Sequence, residues 1–181
     1  MPIDTPAGRL PLVADYLQDA RRDPAGFLKI HTTPFLIVTI PGRDEVSTGM
    51  PLAGRTLKRI EGGVKPTVLD LGKGRLALAV RKHKSPGTDA VLIGRSREND
   101  LVLPFESVSR LHGFLRFSRE GKWNVEDAGS TNGTFVGDRK LKPGVREPVR
   151  DGDPLRFGWV QCVFRSAESF VTELTSMPPS T

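Results

Sequence analysis

Four short segments of this 181-residue chain stand out, and the first three carry side chains suited to holding an anion. They are Gly94-Arg95, Ser109-Arg110-Leu111-His112, Ser130-Thr131-Asn132-Gly133-Thr134, and Asp151-Gly152-Asp153 with Phe157-Gly158. Arg95 offers a fork of N–H donors, Arg110 a second cation, Ser109 and Thr131 hydroxyls, and Asn132 an amide that donates and accepts. No nucleophile–base pair and no metal-ligand cluster stands among them. The set is positive and donor-rich, which suits a doubly charged phosphate held beside a peptide backbone. Singly, each segment is weak: a strand-end Arg is usually solvated, and Asn-Gly is a turn dipeptide. Their joint order and spacing are what carry weight.

The elements that must position these residues follow from pattern. From about residue 67 the chain reads strand, turn, strand. Candidate strands are 67–71, 75–81, 90–94, 101–103, 113–117, 123–127, 134–136, 140–141, 154–157 and 160–164. Turn signals between them include Gly72-Lys73-Gly74, Asn99-Asp100, Glu120-Gly121-Lys122 and Gly137-Asp138. Short strands at near-regular spacing predict an all-β antiparallel sandwich, whose end loops cluster in space. Asp151-Gly152-Asp153 reads as a turn rather than a metal loop, because further oxygen ligands are missing at the required spacing. His112 alternates with Phe114 and Arg116 along a strand and reads as structural. Trp123 and Phe157 read as core, with Trp159 exposed.

Before the sandwich, Leu12, Val13, Tyr16, Leu17 and Ala20 make one apolar face of a helix over 12–22. Asp23-Pro24 stops it and caps a second short turn carrying Phe27 and Leu28. Phe35 to Ile40 reads as a buried strand. Residues 41–66 read as loop with one strand near 56–60. The division expected is an N-terminal extension over 1–60 (helix, strand, basic linker), a sandwich domain over 61–170 and a disordered Pro/Ser/Thr-rich tail over 171–181.

Composition narrows the function classes. Hydrophobic residues are 37% of the chain, with 19 Gly and 15 Pro, which favours turns and strands over a helical bundle. The net charge is +6, and residues 54–84 hold nine basic side chains against Glu61 and Asp70. Such a stretch attracts anions, nucleic acid included. Cys162, the one cysteine, excludes an internal disulfide and reads as a small buried hydrophobe. No leader or spanning segment is visible, so a cytoplasmic protein is the expectation.

Gly-Arg, Ser-Arg-x-His, Gly-Ser-Thr-Asn-Gly-Thr, Asp-Gly-Asp and Phe-Gly, at these intervals, resemble the forkhead-associated (FHA) domain over roughly residues 68–166. The resemblance implies a sandwich of about eleven strands that grips a phosphothreonine peptide, with a short helical N-terminal extension of a kind found in some bacterial members. Carried over by residue, Arg95, Ser109 and Thr131 would contact phosphate. Asn132 would bond the peptide backbone beside it, and Arg110 would face the peptide. Gly94, His112 and Gly133 would brace the loops. A small pocket for the threonine methyl is also implied. The hairpin reads Gly137-Asp138 where Asn-Gly is commoner. The expected role is a non-enzymatic adaptor in Ser/Thr kinase signalling, with no cofactor and no metal. Its partner would be a phosphothreonine-containing protein or the kinase itself. The alternatives are a phosphorylation-independent scaffold, or nucleic-acid binding through 54–84, which is the less favoured.

Overall fold

The computed structural model describes residues 4–5, 8–39, 75–83 and 89–178. A two-residue pair, β1 (Asp4–Thr5) with β2 (Gly8–Arg9), precedes helices α1 (Val13–Arg22) and α2 (Pro24–Ile30). Eleven strands follow: β3 (Phe35–Thr39), β4 (Arg75–Ala79), β5 (Ala90–Gly94), β6 (Leu101–Val102), β7 (Gly113–Phe117), β8 (Trp123–Asp127), β9 (Thr134–Val136), β10 (Arg139–Lys140), β11 (Arg146–Val149), β12 (Pro154–Phe157) and β13 (Val160–Arg165). Helix α3 (Ala167–Ser176) closes the described chain.

The strands form two sheets, ordered β10-β9-β12-β13-β3-β4 and β11-β8-β7-β5-β6. All pairs are antiparallel except the short β5–β6 pair, which is parallel. Leu36, Val38, Leu76, Leu115, Val125, Leu155, Phe157 and Val160 fill the space between the sheets. Fully burying side chains of this size stabilises by roughly 1.5–3 kcal/mol each.

The division expected at residue 60 does not hold. β3 lies in the six-stranded sheet between β13 and β4, so the sandwich takes a strand from the presumed extension. Its sequence shows why. Phe35, Leu36, Ile37 and Val38 are all buried, with Leu36 and Val38 facing the sandwich interior and Phe35 and Ile37 facing the helices. A strand covered on both faces has no reason to alternate. The strands expected at 56–60 and 67–71, and most of the basic stretch 54–84, lie outside the described residues.

The disordered tail expected over 171–181 is overturned for residues 171–178, the rest lying outside the described residues. Residues 167–176 are helical, and Ala167, Phe170, Val171 and Leu174 are buried. Their spacing of three and four makes one apolar stripe, and Ser166 caps the helix by accepting a hydrogen bond from Ser169 N–H at 3.1 Å. That stripe packs with Val13, Ala20 and Phe27 over Phe35 and Ile37. Glu173 adds ion pairs to Arg75 and Arg165, at 3.1 and 3.4 Å.

Local expectations at the N-terminus hold. Asp23 accepts a bond from Gly26 N–H, and Pro24 occupies the first turn of α2. β11 escaped the sequence reading because Arg-Glu-Pro-Val carries Pro148. It is an edge strand pairing only with β8, where proline is tolerated. Cys162 is buried, and burial pushes its thiol pKa well up, as suits an inert core residue.

Candidate functional site

The loops that end β5 and β8, precede β7 and join β12 to β13 meet at one end of the sandwich. Their backbones are fixed first. Arg95 N–H donates to Ser109 C=O at 2.9 Å, and Ser96 N–H to Arg110 C=O at 3.1 Å. Gly94 lets these segments touch: a methyl group there would sit 2.2 Å from the Arg110 carbonyl oxygen. Asn99 Nδ2 spans the same gap, donating to Ser96 C=O at 2.8 Å and Arg110 C=O at 2.6 Å.

His112 ties the second joint. It is fully buried. Its Nδ1 accepts from Ser109 N–H at 3.1 Å, which assigns the proton to Nε2, and Nε2 donates to Gly133 C=O at 3.2 Å. Burial holds its pKa below the usual histidine value, against the pull of Gly133 C=O and Asp127. A neutral ring is the state this geometry needs, since a protonated Nδ1 could not accept.

Asp127 ties the third. Its carboxylate accepts from Gly129 N–H, Ser130 N–H, Ser130 Oγ–H and Thr134 Oγ1–H, at 2.9, 3.0, 2.6 and 2.6 Å. Burial alone would raise its pKa. The donated bonds, led by Ser130 and Thr134, outweigh that and hold it below the ordinary carboxylate range. Ser130 Oγ in turn accepts from Gly133 N–H. Gly133 turns the chain at φ +84°, a conformation that favours glycine.

On this frame the donors are arrayed. Ser109 Oγ accepts from Thr131 N–H at 3.1 Å and lies 3.4 Å from Thr131 Oγ1. Arg95 is exposed, and its Nε donates to Val108 C=O at 3.1 Å, which seats the guanidinium beside Ser109. No carboxylate among the described residues is ion-paired with it. Arg95 and Arg110 line a shallow concavity of about 440 Å³ with Ser96, Arg97 and Glu98. Asn132 Nδ2 donates to Ser107 C=O at 2.8 Å, which leaves its amide oxygen to accept. Ser107 Oγ accepts from Trp159 N–H at 3.2 Å. Gly158 seats the β12–β13 turn against Ser107, where a methyl would lie 2.2 Å from the Ser107 carbonyl oxygen.

Arg95, Ser109, Thr131 and Asn132 thus sit on three adjoining loops, with Arg110 exposed on the rim and Gly94, His112 and Gly133 beneath. An anion with several acceptor oxygens would meet a guanidinium and two hydroxyls there. Asn99, Ser107, Asp127 and Ser130 were missed from sequence. Asp127-Ala128-Gly129-Ser130 does carry an Asx-turn signal. Nothing local marks Ser107, whose carbonyl is bonded by Asn132 25 residues on, and the bond of Asn99 to nearby Ser96 C=O gives no sign of the one it makes to Arg110 C=O, 11 residues on. Asp151-Gly152-Asp153 is a turn at the strand end before β12, its carboxylates taken by Ser166 N–H, Ser169 Oγ–H and Arg150 N–H.

The eleven strands form a sandwich with a donor cluster on its end loops, and comparison with known proteins gives its family. The FHA domain family model matches residues 91–158. FhaB, an FHA domain-containing protein of Mycolicibacterium smegmatis, is 42% identical over 72 residues, which is 40% of this chain and 44% of FhaB. The oxoglutarate dehydrogenase inhibitor of Corynebacterium glutamicum is 30% identical over 136 residues, 75% of this chain and 89% of that protein. A crystal structure of the FhaA FHA domain complexed with the intracellular domain of Rv3910 aligns with 51% of this chain and 90% of that one, at 28% identity and a TM-score of 0.42. The chain belongs to the FHA-domain family, whose domains are typically non-catalytic binding modules. It spans less than half the length of the FhaB relatives it matches.

Proposed function

We propose that this protein is a phosphothreonine-dependent adaptor in Ser/Thr kinase signalling, not an enzyme. The observation that carries the reading is the seat of Arg95. Its guanidinium is held by Nε on the carbonyl of Val108, the residue before Ser109, whose hydroxyl meets that of Thr131, and no described carboxylate is paired to it. Arg95, Ser109 and Thr131 take the phosphate, Asn132 the adjacent peptide backbone, and Arg110 the flanking residues. The Corynebacterium relative is named for inhibiting an enzyme, which fits action by binding. No helix among the described residues is long and apolar enough to cross a membrane.

The test is titration of a phosphothreonine peptide and its unphosphorylated twin. Arg95→Ala is expected to weaken phosphopeptide binding by about 100-fold, the loss of two charge-assisted hydrogen bonds. Its melting temperature should stay that of wild type, because the side chain is exposed. Equal binding of the two peptides to wild type would refute the proposal. Full binding by Arg95→Ala, with the fold intact, would move the interaction to another face and favour a phosphorylation-independent scaffold.

A further inference from the structure

A second cationic feature borders the same loop and takes no part in the site described above. The strand register sets Lys140 opposite Phe135, and Phe135 opposite Arg156. The neighbouring Thr134, Leu155 and Phe157 are buried inward, so this row lies on the outer face of the six-stranded sheet. The Arg156 guanidinium stacks on the Phe135 ring, 3.4 Å from its centroid, and Lys140 Nζ stands 6.0 Å from the same centroid. Arg156 Nη1 also donates to Gly158 C=O at 2.8 Å, tying the row to the β12–β13 turn.

The lysine stem crosses Gly133. A methyl group at Gly133 would lie 2.4 Å from Lys140 Cε and 3.2 Å from Nζ. The ammonium is therefore held over the residue that follows Asn132. Packing the stem on apolar surface while the head stays wet is favourable for lysine, and it limits where the charge can go. Arg139, the next residue, is paired with Glu147. Among the described residues no carboxylate is ion-paired with Lys140 or Arg156, although Asp138 acts on Arg156 through its charge.

We propose that Lys140 and Arg156 form an auxiliary anion subsite that takes an acidic side chain of the partner, flanking the phosphothreonine. This rests on the phosphothreonine reading of the main site. A peptide bonded to Asn132 would lie beside Gly133, over which the Lys140 stem is packed. An extended chain advances about 3.3 Å per residue, so the acidic residue would lie a few positions from the phosphothreonine. Such a rim contact adds selectivity more than affinity.

The experiment walks one glutamate through short synthetic phosphothreonine peptides of otherwise alanine sequence, with glutamine controls. Binding is measured on the full chain, as wild type, Lys140→Gln and Lys140→Arg. Glutamate at one or two adjacent positions should tighten wild-type binding by about three- to fivefold at low salt. Glutamine should give no gain. Lys140→Gln should remove the gain, and Lys140→Arg should restore it. A flat scan with phosphate dependence intact overturns the subsite and leaves the main reading standing. A glutamate gain that survives in Lys140→Gln places the selectivity elsewhere and also overturns it. Equal binding of phosphorylated and unphosphorylated peptides overturns both readings together.

Discussion

The loop end and the helix-covered face of this molecule are built by opposite means. At the loop end, Asp127, Asn99, His112 and Ser107 are the partners of directed hydrogen bonds that fix the loops. On the outer face of the six-stranded sheet, Tyr16, Phe27, Phe35 and Phe170 pack with ring centroids 4.4 to 6.5 Å apart. Apolar burial is strong but non-directional. Hydrogen bonds contribute less net stability, yet they fix position, and losing one partner inside a protein is costly. The comparison teaches where each is used: the helices stabilise the sheet, and the polar frame places donors to within the tolerance that an anion requires.

The largest expected effect is in the apolar layer. Phe170→Ala should destabilise by about 3–5 kcal/mol in chemical denaturation, since Phe170 is fully buried against three rings. Phosphopeptide affinity of the folded fraction should not change. If affinity drops while the chain is still folded, the two regions are coupled and the contrast above is broken.

Next comes the polar frame. Asp127→Ala should cost about 2–4 kcal/mol, because it strands the Ser130 and Thr134 hydroxyls and two N–H groups. Here binding should fall as well, since the loop bearing Thr131 and Asn132 is released. Unchanged binding in Asp127→Ala would show that the frame does not set the donors.

The smallest effect is in pH. His112 has a folded pKa below its unfolded value, so the unfolded chain binds the extra proton more readily. Its contribution is full above the unfolded value near 6.5 and is lost as pH falls from there toward the folded value. Asp127 acts in a lower window. Its depressed pKa contributes stability above the unfolded value near 3.8 and loses it as pH falls further. Melting curves should therefore shift down between neutral and mildly acidic pH, and His112→Gln should blunt that shift. An equal shift in His112→Gln would assign the titration elsewhere.

The sequence by itself determined the strands of the second half other than β11, and the α1–α2 turn at Asp23-Pro24. In each case the signal is local: alternation, a cap, a glycine, or a motif whose members lie within six residues. Tertiary structure decided what local pattern could not. It placed β3 inside a sheet, paired on both edges, next to a strand that begins 36 residues after β3 ends, because both faces of that run needed cover. It turned a Thr/Ser-rich end into α3, because Phe170, Val171 and Leu174 had an aromatic surface to bury against. It made Asn99 and Ser107 joints of the site, because a backbone carbonyl or amide chooses its partner by distance in space, and the chain gives no sign of that distance until the sheets have closed.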